Sequence, residues 1–265
     1  MRVFAIDKLY EDIDEPLSFM IEILSWDQVN KMVPKLTVFT IIDVETGLSF
    51  KVQRRAGSQH ADVQPLSYKD TKIMKKIYNG KWSWNRRAII VLVEDQLIAA
   101  SMHGMPHGAG SLKNGFPGHF CVHFWESTTH KRDKMDPGHH LMILKAGGKL
   151  DDYLNNIDPY TLISVFALAI NNNDHYLLNE IIAKNKYQQK LSKKVMGQLS
   201  YFSIRSLSLL PMEDLHDQFL IEVPAKVEFF KENEGKTRTV VNFIIRRDSI
   251  TDRWYIEGQN LLKIL

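Results

Sequence analysis

A chain of 265 residues with 44% hydrophobic and 25% charged side chains has room for one large globular domain or two ordinary ones. Its net charge of +3, with both signs interspersed, argues against a nucleic-acid-binding role. No apolar run approaches the roughly eighteen residues that span a bilayer, and a single cysteine excludes a disulfide framework or a Cys-rich zinc module.

The first twenty residues, MRVFAIDKLYEDIDEPLSFM, hold four acidic side chains between Tyr10 and Glu15 and no apolar h-region, so no signal peptide is expected. A chain read as it stands is then cytoplasmic. Residues 17–32 have apolar side chains at helical spacing and are expected to form an amphipathic helix. Residues 36–43 and 48–54 are rich in Val, Ile, Thr and Phe around a turn at Glu45-Thr46-Gly47, which predicts a hairpin. Ser67 as N-cap, Asp70 three residues on and Gly80 beyond predict a helix over 67–78. RRAIIVLVEDQLIAASMHG predicts a second hairpin, turning at Glu94-Asp95-Gln96. Residues 104–118 contain five glycines and two prolines and are expected to be a loop. HFCVHFWES then alternates, placing His119, Cys121, His123 and Trp125 on one face of a strand and Val122 and Phe124 on the other.

Composition shifts near residues 147–152. Seven of the ten histidines lie between His103 and His140. Two helices are expected beyond, over 159–184, opened by Asp158-Pro159, and over 188–209, closed by Pro211. Three β segments with turns at 232–235 and 248–252 complete the chain. Helices followed by an antiparallel sheet predict an α+β unit, loosely similar to the cone-shaped NTF2-like arrangement.

The lone cysteine between two histidines invites nucleophilic catalysis, which needs a base for the thiol proton, a group orienting that base, and N–H donors for the oxyanion. His103 followed by fourteen residues and then Gly118-His119-Phe120-Cys121-Val122-His123 resembles the signature of YkuD-type L,D-transpeptidases. In that family a histidine precedes, by fourteen to seventeen residues, a Ser/Thr-His-Gly-Cys-Ile/Val-Arg run. Three positions depart: Gly118 stands for Ser/Thr, Phe120 for Gly and His123 for Arg. The resemblance covers residues 35–148. It implies a β-rich L,D-transpeptidase-like (YkuD) catalytic domain there, after an N-terminal helical segment over 1–34 and before the α+β unit over 149–265.

The resemblance further implies that Cys121 attacks a stem-peptide carbonyl of peptidoglycan and expels D-alanine. An amine then resolves the acyl-enzyme in transpeptidation, or water in carboxypeptidation. His103 would be general base and acid, His119 a motif residue beside the thiol, and the backbone N–H groups of Phe120 and Cys121 the oxyanion hole. No cofactor and no metal are implied. The family's substrate lies outside the membrane, so an extracytoplasmic location is implied despite the missing export signal.

Around this core, His60 and Asp62 in HADVQP are read either as a turn or as partners at the mouth of the cleft. In WSWNRR, Arg86 and Arg87 fall on opposite faces of a strand, so one of them, taken as Arg87, faces inward, either as a cation–π corner or as a carboxylate clamp. His123 joins these as a substrate-side residue, and Ser127 and His130 are rim candidates. Two other classes stay open. One is a non-catalytic cell-wall binding protein of the same fold. The other is a metal-dependent peptidase or amidase using His60, Asp62, His119, His123 and His130, with His103 and His107 in MHGMPH four apart but interrupted by Gly and Pro.

Overall fold

The computed structural model describes residues 20–129, 134–208, 215 and 217–265. Ile21–Glu22 forms a short strand, β1, followed by helix α1 (Trp26–Met32). The helix expected over 17–32 therefore starts late, and its first three residues lie outside the described residues. A capping box sets the start: the Ser25 side chain accepts from the Gln28 N–H while the Gln28 side chain accepts from the Ser25 N–H. Upstream, Ile21 and Glu22 are drawn into parallel pairing with Leu97 and Ile98.

The two expected hairpins form. β2 (Val38–Asp43) and β3 (Ser49–Ala56) turn through Gly47, whose φ of +67° suits glycine. Strand β4 (Ala61–Pro65) and helix α2 (Tyr68–Ile77), capped by Ser67, follow. β5 (Arg86–Val93) and β6 (Gln96–His103) are joined by Glu94 and Asp95, both at positive φ, as a two-residue type I′ connection requires. β7 (Phe120–His123) pairs with β4 on one side and β6 on the other, so β6-β5-β2-β3-β4-β7 closes into a six-stranded barrel with β1 appended to β6. Its interior is apolar, filled by Phe39, Ile41, Phe50, Val52, Val63, Ile89, Val91, Ile98, Met102, Phe120, Val122 and Phe124. Because side chains alternate along a strand, the residues between these face outward, which fixes where the polar groups of β4, β6 and β7 gather.

A buried ion pair ties the β2–β3 turn to β5. Asp43, with no exposed surface, accepts from Arg87 at 2.7 and 2.8 Å and from the Thr46 N–H and hydroxyl at 2.9 and 2.7 Å. Removing one partner of such a pair strands the other. Asp43→Ala should cost about 3–5 kcal/mol in urea unfolding; a loss below about 1 kcal/mol would show the pair to be dispensable.

The second half begins with helix α3 (Pro137–Ala146), packed across β5 and β6, then α4 (Leu150–Asn156), α5 (Pro159–Asn172), α6 (His175–Ile181) and α7 (Gln188–Gln198). The single helix expected over 159–184 is two, because Asn173 adopts the left-handed conformation at φ +53° and Asp174 caps a new start. The helix expected over 188–209 stops at Gln198. Beyond it, Leu199–Leu207 (LSYFSIRSL) is strand β8, whose β-branched and aromatic side chains pair with strand β9 (Leu220–Lys231). β10 (Gly235–Arg246) and the short β11 (Tyr255–Ile256) complete a four-stranded antiparallel sheet in the order β11-β10-β9-β8. The tail expected as strand folds instead into helix α8 (Gly258–Ile264). One apolar cluster runs from Ala88 and Ala99 on the outer barrel wall through α3 and α5 to this second sheet, with Phe166 packed edge-on against Phe202 and Phe243.

Candidate functional site

β4 reads Ala-Asp-Val-Gln-Pro, a strict alternation in which Ala61 and Val63 enter the barrel core and Asp62 and Gln64 point the other way. β7 alternates in the same sense, with Phe120 and Val122 inward and Cys121 and His123 outward, and the pairing sets Asp62 directly opposite Cys121. β6 contributes Ser101 and His103. This outer polar face is buried all the same, because α3 and the 104–118 loop lie over it. His60, Asp62, Ser101, His103, Cys121, His123 and His139 are each no more than 6% exposed.

The thiol of Cys121 has two acceptors within reach, His107 Nε2 at 3.3 Å and Asp62 Oδ1 at 3.6 Å. His107 Nδ1 lies 3.1 Å from the Met105 carbonyl. A carbonyl can only accept, so Nδ1 carries the ring proton and Nε2 presents a lone pair to the sulfur. His103 stands one residue beyond the last β6–β7 pair, Met102↔Val122, and a ring nitrogen of it lies within 4.8 Å of both Cys121 Sγ and a ring nitrogen of His107. Trp84 packs on both imidazoles, with ring centroids 4.6 Å from His103 and 5.5 Å from His107, and is half exposed. Asp62 also lines a groove of about 660 Å³ with Arg54, Gly57 and Ser58.

The remaining imidazoles form a stack. His60 and His123 lie 4.4 Å apart at 17°, and His123 and His139 3.9 Å apart at 14°. His139 Nδ1 is 2.9 Å from the Ser101 hydroxyl, and the helix that carries it is capped by Asp136, which also binds Arg86 at 2.7 Å. Burial, reinforced by neighbouring imidazoles, holds His123 and His139 well below the ordinary histidine range and His103 down at about 3. Burial, reinforced by the Asp62 carboxylate, pushes the Cys121 thiol well up. The thiol is therefore protonated, and the buried rings of His103, His123 and His139 around it are uncharged.

Cys121, His103, His119, His60, Asp62 and His123 come together; His119 reaches Asp62 at 3.8 Å from its Nε2 and the Ala109 carbonyl at 3.0 Å from its Nδ1. Arg87 does not join them, being held by Asp43. Ser127 accepts no role at the sulfur; its hydroxyl accepts from the Phe124 N–H at 2.9 Å. His130 lies outside the described residues. Phe120 and Cys121 are consecutive residues of an extended strand, whose N–H groups point to opposite edges, so the two cannot converge on one oxyanion. That expectation is corrected to at most one of them.

The three departures from the transpeptidase-like signature have local reasons. Gly118 sits at φ +123°, and a Cβ there would come within 2.5 Å of the His107 carbonyl oxygen. The Phe120 ring turns into the barrel against Phe50 and Phe116, away from the thiol. His123 occupies the middle of the imidazole stack. Two contributors escaped the sequence reading, His107 as the contact of Cys121 and His139. Asp136-Pro137 repeats the cap signature recognised at Asp158-Pro159 and marks the helix that carries His139. No protein-family model matches the chain, and no curated protein matches it.

Proposed function

We propose that Cys121 is the nucleophile of an acyl-transfer centre and that His107 takes its proton. The observation that carries this reading is the 3.3 Å contact from Cys121 Sγ to a His107 Nε2 whose lone pair is aimed by the Met105 carbonyl. Nucleophile, base and orienting group thus form a connected relay. Since burial and Asp62 keep the thiol protonated, attack is coupled to proton transfer rather than drawn from a standing thiolate. The sulfur–carbon bond forms as the proton passes to Nε2. The imidazolium then gives that proton to the departing amine as the carbon–nitrogen bond breaks, leaving a thioester for an amine or water to resolve.

The resemblance to YkuD-type L,D-transpeptidases supports a peptidoglycan stem peptide as acyl donor with D-alanine leaving. His103, the base that the resemblance implied, is the less suitable ring: burial depresses it to about 3, a weak base. In this reading it walls the thiol. D-alanine release from a tetrapeptide stem should be measurable with the wild type and absent in Cys121→Ala. Release that persists in a folded Cys121→Ala protein would remove the sulfur from the mechanism.

A further inference from the structure

Beside Cys121, three more donor groups converge. His60 Nδ1 lies 2.8 Å from the Thr128 carbonyl, so it donates there and leaves Nε2 as the ring's ligating atom. Nε2 lies 3.3 Å from Asp62 Oδ1, and the same oxygen lies 3.6 Å from Cys121 Sγ. Donor atoms of His60, Cys121 and His123 all fall within 4.8 Å of one another, and all three residues are buried. His123 Nδ1 has no hydrogen-bond partner among the described residues, in a side chain only 3% exposed.

In the metal-free protein the thiol proton lies among these atoms, directed to Asp62; a cation that displaces it meets nitrogen, oxygen and sulfur donors together. Tetrahedral zinc, with bonds of about 2.0–2.2 Å to nitrogen or oxygen and about 2.3 Å to sulfur, sets neighbouring ligand atoms roughly 3.3–3.8 Å apart. The His60–Asp62 and Asp62–Cys121 separations have that spacing. The mixed imidazole and thiolate set suits a borderline-soft ion, and a ligating histidine whose other ring N–H is held by a backbone carbonyl is the usual way such a ring is oriented.

We infer that His60, Cys121 and His123, with the Asp62 carboxylate beside them, bind a divalent ion of the zinc class. Binding replaces the thiol proton by the metal, so uptake releases a proton. The ion then holds the sulfur lone pair that attack would use, and the metal-loaded protein is the unreactive form. This last consequence rests on the acyl-transfer reading; the binding itself does not.

The full-length protein, stripped with chelator and kept reduced, is titrated with Co²⁺ and then Zn²⁺. The expected result is a near-ultraviolet thiolate-to-cobalt charge-transfer band with strong visible bands of a tetrahedral ion, both bleached by zinc. His123→Gln and Cys121→Ser should each weaken zinc retention against a chromophoric chelator by about ten- to a hundredfold, while His175→Gln on α6 leaves it unchanged. If those variants do not fold, a zinc-dependent rise in the wild-type melting temperature, reversed by chelator, provides the second reading. No thiolate band in the wild type, or retention unaffected in folded His123→Gln, overturns the inference. Failure of the stripped protein to take an acyl group overturns the acyl-transfer reading instead and leaves the metal result standing.

Discussion

Replacing His107 by alanine is expected to slow acylation of Cys121 by about a hundred- to ten-thousandfold, the usual range for loss of a positioned general base. His103→Ala is expected to cost much less. Both rings lie close to the sulfur, but only His107 combines a 3.3 Å contact with a tautomer fixed by a carbonyl. Asp62→Asn adds a test of opposite sign. Burial is the first cause of the raised thiol, and the Asp62 charge adds to it, so removing that charge should move the pH profile for alkylation of Cys121 to lower pH. Single-turnover rates decide the matter: an unimpaired His107→Ala beside a disabled His103→Ala would return the base to His103.

Acid should destabilise the protein earlier than its carboxylates account for. His103 and His139 are kept neutral by burial, with folded values below the roughly 6.5 of an exposed histidine. The unfolded chain therefore binds protons that the folded one refuses. Their contribution is fully present above about pH 6.5 and is lost as pH falls from there, for His103 toward about 3. In chelator-treated protein the loss should reach a few kcal/mol, on the order of 1.4 kcal/mol for each pH unit and each such histidine. The melting temperature should decline from about pH 6.5 downward, less steeply in a folded His139→Gln variant. A plateau held down to about pH 4.5, where carboxylates begin to titrate, would contradict the buried, uncharged state of the rings.

Much of the barrel was legible because local chemistry and tertiary structure agree there. The β2–β3 and β5–β6 hairpins show alternating Val, Ile and Phe around short turns, and Ser67 marks a helix start that forms. β4 was not recognised as a strand: it is short, and its outward side chains are polar yet buried against other polar groups, so its alternation resembles a loop. β8 reads as helix because the Gln188–Gln198 pattern runs into it with no Pro before Pro211; Gly197 is the local signal of a break, and pairing with β9 decides the strand state. At the site, the period of two puts Cys121 and His123 on the outer face of β7, and His119, just before the strand, lies beside them near Asp62. Neither His107 nor His139 could be placed beside them from spacing, since one arrives on an irregular glycine-rich loop and the other on a helix from the far side of β6. The oxyanion pair failed for a related reason, because neighbouring N–H groups converge in a turn and diverge in the strand that Phe120 and Cys121 occupy.

Acylation of Cys121 is the step on which the proposed chemistry depends. Intact-mass analysis after incubating the metal-stripped protein with a carbapenem-type β-lactam, followed by peptide mapping, reads this directly. One covalent adduct is predicted, on the peptide containing Cys121, absent from Cys121→Ala and slowed in His107→Ala. A folded protein that forms no adduct, or carries it on another residue, would contradict the account.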